Sequence, residues 1–487
     1  VFEMKKYTAY LLISIASLGT GCKKYLEQAP DQRTKLNTPE KVSELLVTAY
    51  PSGSYIMLAE AMSDNPSFNS TTGYDKPENR DAYFWKDVEG TGQDTPNNYW
   101  NDCYAAIAAA NQALDAIAKA SDPQNYSAQK GEALVARAYA HFMLVTFFSK
   151  CYDPATAATD PGIPYVTTPE SIVLKNYERK TVTYVYEQIE KDLLAGIPLL
   201  KDEQYRVPAY HFTHKAAYAF ASRFYLFKKD MAKVVQYAGL AFPANNFAAN
   251  VRPWLAFGSP TGGSTEIAQN MSSAANPGNL LLCETSSWAA RNYARTIYSL
   301  SQNRLNSILA PVGLSLNAYK TYSYSSTFYF VPKLYEHFVR TSINASTGVG
   351  YLMQSLLTTE EVLLNRAEAY IMQGKYAEAL TDMNTLISTR MTNYVAASSN
   401  LTETKITTYY AAKTEDVKQA YLYALLDLKR AEFVEEGMRW MDILRLKMTV
   451  THLDANGNAM ELGADDKRKL WQLPSEVTLA GLAQNPR

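Results

Sequence analysis

Glu361–Arg390 reads EVLLNRAEAYIMQGKYAEALTDMNTLISTR, and its apolar spacing decides the fold. Leu363, Ala367 and Tyr370 recur at three- and four-residue steps, which is one face of a helix. Gln373-Gly374 interrupts that rhythm as a turn. Tyr376, Ala379, Leu380, Met383 and Leu386 restart it on a second helix. Small residues let two such helices approach, and an aromatic ring fills the groove between them. The same shape stands further upstream. Thr213 to Phe227 predicts one helix, Lys228-Lys229-Asp230 a turn, and Met231 to Ala241 the return.

Working outward, Trp100, Tyr104, Ile107, Asn111, Leu114 and Ile117 share one helical face. Leu134, Ala138, Phe142, Val145 and Phe148 share another within Gly131–Phe148, and Val185, Ile189, Leu193 and Ile197 a third within Val182–Leu200. Thr38-Pro39-Glu40 is a helix start. Thr414 to Leu446 predicts a last helical block. Leu363-x-x-Arg366-Ala-Glu-Ala-Tyr370 followed by Gly374-x-Tyr376-x-x-Ala379-Leu380 resembles a tetratricopeptide unit, and helix pairs of this kind recur along the chain. Two stretches lack the period: about 63–99, dense in Asn, Asp, Thr, Gly and Pro, and about 243–335, with many Pro, Gly and aromatic residues. The tail holds the turn signal Asn456-Gly457 and a short strand candidate, Trp471–Pro474. The expected class is therefore all-α: a tetratricopeptide-like helix-pair core carrying a loop-rich subdomain.

At the other end, Lys5-Lys6 precede an apolar run, Tyr7 to Leu18, and then Gly19-Thr20-Gly21-Cys22. A basic start, a short apolar run and small residues describe a secretory signal over 1–21. The run is shorter than the roughly 20 residues that span a bilayer as a helix. Cys22 after small residues resembles the lipidation site of bacterial lipoproteins, with 22–39 as a polar tether and 40–487 as one domain.

Lys+Arg is 47 and Asp+Glu is 48 in 487 residues, so no basic footprint argues for nucleic acid. Beyond Cys22 only Cys103, Cys151 and Cys283 remain, an odd number that forms no complete disulfide framework. His211-x-x-His214 lacks a third ligand at zinc-like spacing, and Asp454-x-Asn456-x-Asn458 departs from a calcium loop at Ala459 and Asp465. No metal or cofactor is expected. No nucleophile elbow, zinc-protease motif or phosphate loop occurs, so no enzyme is expected either. The charged block Arg430, Glu432, Glu435, Glu436, Arg439, Asp442 and Arg445 alternates sign at helical spacing. It reads as helix-surface and helix–helix ion pairs, with the Arg residues keeping the acids ionised.

Six features, in order, resemble the SusD/RagB-like family of outer-membrane nutrient-binding lipoproteins. They are Cys22 through Pro30; Trp100-x3-Tyr104-x2-Ile107-x3-Asn111; Gly131-Glu132-Ala133-x3-Arg137-Ala138-Tyr139; Glu368-Ala369-Tyr370 leading to Gly374-Lys375-x2-Glu378-Ala379-Leu380; the block from Arg430 to Arg445; and Trp471-x-Leu473-Pro474-x-Glu476 through Pro486. The resemblance implies a cell-surface, lipid-anchored protein that captures oligosaccharide and hands it to a partner TonB-dependent outer-membrane transporter (SusC-like). Transport of peptides or another nutrient, and secreted glycoside hydrolysis, are the alternatives.

The 36 tyrosines fit ligand capture, because more phenols occur than a core can hide. Sugar rings pack on aromatic planes beside fixed polar groups. The two loop regions supply that mixture. Asn65, Tyr74, Arg80, Tyr83 and Trp85 stand in the first, and Trp288, Tyr293 and Tyr324 in the second. These eight are the expected ligand-binding residues.

Overall fold

Capping residues set the helix starts. In the computed structural model, which describes residues 36–170 and 176–487, Thr38 opens α1 (Pro39–Leu46) by accepting the Lys41 N–H. α2 (Ile56–Met62) is buried along its whole length. β1 (Ser67–Phe68) and α3 (Pro77–Tyr83) follow within the first loop region. Thr95 caps α4 (Pro96–Lys119), its hydroxyl accepting the Asn98 N–H at 3.2 Å. α5 (Ser127–Phe148) lies between α4 and α6 (Val182–Gly196), and every residue from Gly131 to Phe148 is buried. Its contact with α6 needs two glycines. A Cβ on Gly131 would stand 2.9 Å from the Gly196 carbonyl oxygen, and one on Gly196 would stand 2.8 Å from that of Gly131.

The expected hairpin of α7 (His214–Phe227) and α8 (Met231–Ala241) is present, turned at Lys228-Lys229-Asp230. The second loop region is more structured than its composition suggests. It holds α9 (Gly263–Met271), β2 (Asn279–Ser286), β3 (Tyr298–Ser299), α10 (Gln302–Ile308) and the β4–β5 hairpin (Tyr322–Ser323, Tyr329–Phe330). β6 (Glu336–Arg340) and β7 (Gly348–Thr358) complete an antiparallel sheet in the order β2-β7-β6. Leu352, Gln354 and Leu356 alternate inward along β7, a period of two. The all-α expectation is thus too narrow: the chain is mainly helical but carries this sheet between its two helical halves. Thr358 ends β7 and caps α11 (Thr359–Met372), which pairs with α12 (Tyr376–Ser388) across Gln373-Gly374. α11 also packs on α7, α8 and α14.

After α13 (Glu403–Tyr410), the last block departs from one continuous helix. Asp416 caps α14 (Val417–Glu432), accepting the Gln419 N–H at 3.1 Å. The chain breaks over Phe433–Gly437, where Glu435 and Gly437 take φ of +66° and +76°, before α15 (Met438–Arg445). β8 (Val450–Leu453) and β9 (Ala459–Leu462) form the hairpin expected at Asn456-Gly457. Trp471–Pro474 is not a strand. Trp471 instead lies flat on Phe147, with centroids 4.3 Å apart, and gives its backbone N–H to the Phe147 carbonyl.

One buried apolar cluster runs from Val42 to Leu482, so both helical halves share a core. Ion pairs cross it. Arg223 grips Glu361 with two bonds of 2.5 Å, tying α7 to α11. Arg252 reaches Glu432 at 2.7 Å and Glu436 at 2.9 Å, and Arg390 reaches Glu432 at 2.7 Å and Glu360 at 2.8 Å. The charged block is therefore interior rather than a helix surface. The expected lipidation residue Cys22, the expected signal 1–21 and most of the expected tether lie outside the described residues.

Candidate functional site

The two loop regions meet. β1 pairs with β3, placing Ser67 opposite Ser299 and Phe68 opposite Tyr298. Asp94 adds a second link, accepting the Ser287 hydroxyl at 2.6 Å and the Trp288 N–H at 3.0 Å. Burial pushes its carboxyl up to about 7 against those bonds.

Where the second loop region meets the α14–α15 break, a pocket of about 170 Å³ opens. The short turn Ala289–Asn292 contributes the small residues Ala289 and Ala290, which leave room. Tyr293, Val331, Lys333 and Glu435 form its buried base. Tyr324, Phe330, Tyr335 and Glu336 stand higher and are partly or well exposed. The Tyr324 ring stacks on Phe330 with centroids 4.7 Å apart, and the Arg295 guanidinium lies 4.0 Å from the Tyr324 centroid. Arg291 pairs with Glu336 at the rim.

The polar groups at the base are unusual. The Tyr293 hydroxyl is buried and has no hydrogen-bond partner among the described residues. Glu435 is 5% exposed, and its Oε2 accepts the Val331 N–H at 2.7 Å. Burial, reinforced by the neighbouring Glu60 carboxyl, pushes Glu435 up to about 8, so it is mostly protonated at neutral pH. Its neighbours behave in the opposite way. Burial would raise Glu432, but Arg390 and Arg252 pull it down to about 2, and Arg252 and Lys333 lower Glu436. The expectation that interleaved Arg residues keep the whole block ionised holds for Glu432, Glu436 and Asp442 and fails at Glu435. Past the helix break, Glu435 makes no ion pair among the described residues, whereas Glu432 and Glu436 do.

Of the eight expected ligand residues, the pocket gathers Tyr293 and Tyr324. Trp288 sits just before its Ala289 wall, 8% exposed, with the Lys76 ammonium 4.9 Å from its ring. Tyr74 is 53% exposed, and its N–H bonds the Arg295 carbonyl at 2.8 Å, which brings it beside the rim. Arg80 is half-exposed and engaged by Asp75 and Asp81.

The other three do not present themselves to solvent. Tyr83 and Trp85 close on the His452 ring from two sides, at centroid distances of 4.1 and 4.4 Å, and Tyr298 covers Tyr83 at 4.2 Å. Their polar tips are used as well: Tyr83 donates to the Leu453 carbonyl and Trp85 to that of Met62. Asn65 is fully buried between Glu60 and Arg430. These residues pin the first loop region onto the β8–β9 hairpin and the core, which is the reason they are large and aromatic. Sequence reasoning missed Glu435, Phe330 and Tyr335. Glu435 carried a signal, since Glu435-Glu436-Gly437 places a glycine where a helix must break.

The protein is mainly helical, with the pocket on loops between two helical halves. The sequence pattern described as "Starch-binding associating with outer membrane" matches residues 24–226, and the SusD family pattern matches residues 289–479. The chain belongs to the SusD/RagB-like family. No curated protein matches it in sequence. Solved structures share its fold. A SusD superfamily protein from Bacteroides thetaiotaomicron is 19% identical with a TM-score of 0.64, covering 92% of this chain and 100% of its own. A SusD-like carbohydrate binding protein from Bacteroides vulgatus is 16% identical with a TM-score of 0.62, covering 91% and 96%. A laminarin binding SusD-like protein is 16% identical with a TM-score of 0.61, covering 92% and 99%.

Proposed function

We propose that the protein captures oligosaccharide outside the cell without cleaving it and hands it to a TonB-dependent, SusC-like transporter in the outer membrane. Lipid on Cys22 holds it at that membrane, facing outward. One observation carries the ligand chemistry: aromatic side chains rim a small pocket whose base holds a buried phenol with no partner among the described residues and a buried carboxyl that burial pushes up to about 8. Such a base exchanges hydrogen bonds with hydroxyls, and the rim accepts the C–H faces of sugar rings. Family membership supports the location and the partner, and the carbohydrate- and laminarin-binding structures with the same fold support the ligand class. An anchor beside the pore raises effective ligand concentration there.

Calorimetry of the purified protein against broad glycan classes tests ligand capture, and no binding by any class refutes it. Co-purification of an outer-membrane barrel with the tagged protein tests the partner. Secreted glycoside hydrolysis is the second reading, favoured by one feature: Glu435 and Glu336 border the same pocket. Against it, Glu336 is held in an ion pair with Arg291 through its Oε1. New reducing ends after prolonged incubation with a bound glycan would establish hydrolysis.

A further inference from the structure

We propose that the pocket takes one uncharged terminal sugar, so that the protein grips glycan chains by an end rather than along their length. The inference rests on oligosaccharide capture as argued above and adds which part of the chain is recognised.

Size comes first. About 170 Å³ is well below the roughly 300–1,000 Å³ of pockets for drug-sized ligands, and it is the room of one sugar ring. Shape comes second. The base is sealed by Tyr293, Val331, Lys333 and Glu435, each under a tenth exposed, whereas Tyr324 and Phe330 at the mouth are not. A chain cannot thread through a closed base, so the ring that enters is the last one.

Charge comes third. Lys333, the cation at the base, is occupied. The Lys333 ammonium donates to the Glu432 and Val434 carbonyls and pairs with Glu436 at 2.7 Å. Arg291 is held by Glu336, and Arg295 lies over Tyr324. Glu435 is protonated at neutral pH, so it donates a hydrogen bond without adding charge. At the base, an acidic sugar finds Lys333 already paired with Glu436, and a charged amine finds Glu435 mostly uncharged. The buried Tyr293 hydroxyl, unpartnered among the described residues, and the Glu435 O–H together suit two hydroxyls of a neutral ring.

The test is a calorimetric titration of the purified protein with malto-, laminari-, xylo- and manno-oligosaccharide ladders, each from disaccharide to octasaccharide, and with their parent polysaccharides. Oligogalacturonides serve as the acidic ladder. For the ladder that binds, affinity per chain should level off by the trisaccharide. The polysaccharide should titrate by its number of ends. Tyr293→Phe should weaken binding at least about tenfold, the loss of one well-made hydrogen bond. The melting temperature of the variant confirms folding. Protein bound per polymer chain that rises with polymer length, an unaffected Tyr293→Phe, or preference for the acidic ladder overturns end recognition while leaving glycan capture standing. Failure of every ladder and polymer to bind overturns both.

Discussion

Glu435→Gln is the sharpest probe of the pocket, because it acts on stability without a ligand. The Glu435 carboxyl is 5% exposed, and burial and Glu60 lift it from 4.5 to about 8. A raised carboxyl contributes its full stability below the unfolded value and loses it as pH rises toward the folded value. Between those limits the unfolded chain releases a proton that the folded chain keeps, and stability falls by about 1.4 kcal/mol per pH unit. The accumulated loss is about 1 kcal/mol at pH 5 and about 3 kcal/mol at pH 7. Gln keeps the shape and can accept the Val331 N–H, but it does not ionise in either state. The variant should therefore be more stable than the parent by an amount that grows by about 2 kcal/mol from pH 5 to pH 7. Urea unfolding of both proteins at the two pH values, followed by tryptophan fluorescence, measures this. All other titrations cancel in the difference. A gap that does not change with pH, or a variant less stable at both, would show that Glu435 is ionised in the folded protein and refute the argument.

Arg252→Met leaves Glu432 and Glu436 buried with fewer cations and should cost about 3–5 kcal/mol in urea unfolding, whereas an unchanged midpoint would contradict a buried ion network. Trp85→Ala removes the indole from the His452 stack and should cost about 3–5 kcal/mol. If Trp85→Ala instead left stability intact and abolished glycan binding, Trp85 would be a ligand plate after all. Tyr74→Ala touches an exposed ring and should change stability by no more than about 0.5 kcal/mol, while weakening glycan binding measured by calorimetry. Equal affinity would remove Tyr74 from the rim.

The helix pairs were legible because their evidence is local. Thr95, Thr213 and Thr358 cap helices within three residues, and Gln373-Gly374 turns the chain within one step. The β2-β7-β6 sheet was not, because β2 pairs with β7 some 70 residues further on and, until paired, lies within a stretch that reads as loop. The site was half legible for a related reason. Aromatic rings serve loop anchoring and ligand contact with the same chemistry. Tyr83 and Tyr324 look alike in sequence, yet Tyr83 meets His452 and Tyr298, whereas Tyr324 borders the pocket. Only the partner, supplied by a segment more than 350 residues away in the case of His452, separates them.

The α14–α15 break explains how one short block does two opposed electrostatic jobs. A continuous helix would have aimed Glu432, Glu435 and Glu436 at successive angles around one axis, with Glu435 and Glu432 sharing a face three residues apart. The positive φ at Glu435 and Gly437 replaces that geometry. Glu432 and Glu436 turn to Arg252, while Glu435 faces Val331 and the pocket. Gly437 is required here twice over, since a Cβ on it would also stand 3.0 Å from the Tyr55 ring. The cations that fix the core thus stay with their own carboxylates, and the one acid left without them keeps its proton. A pocket for a neutral hydroxylated ligand can then sit directly against the most heavily charged part of the interior, because the charge there is already paired.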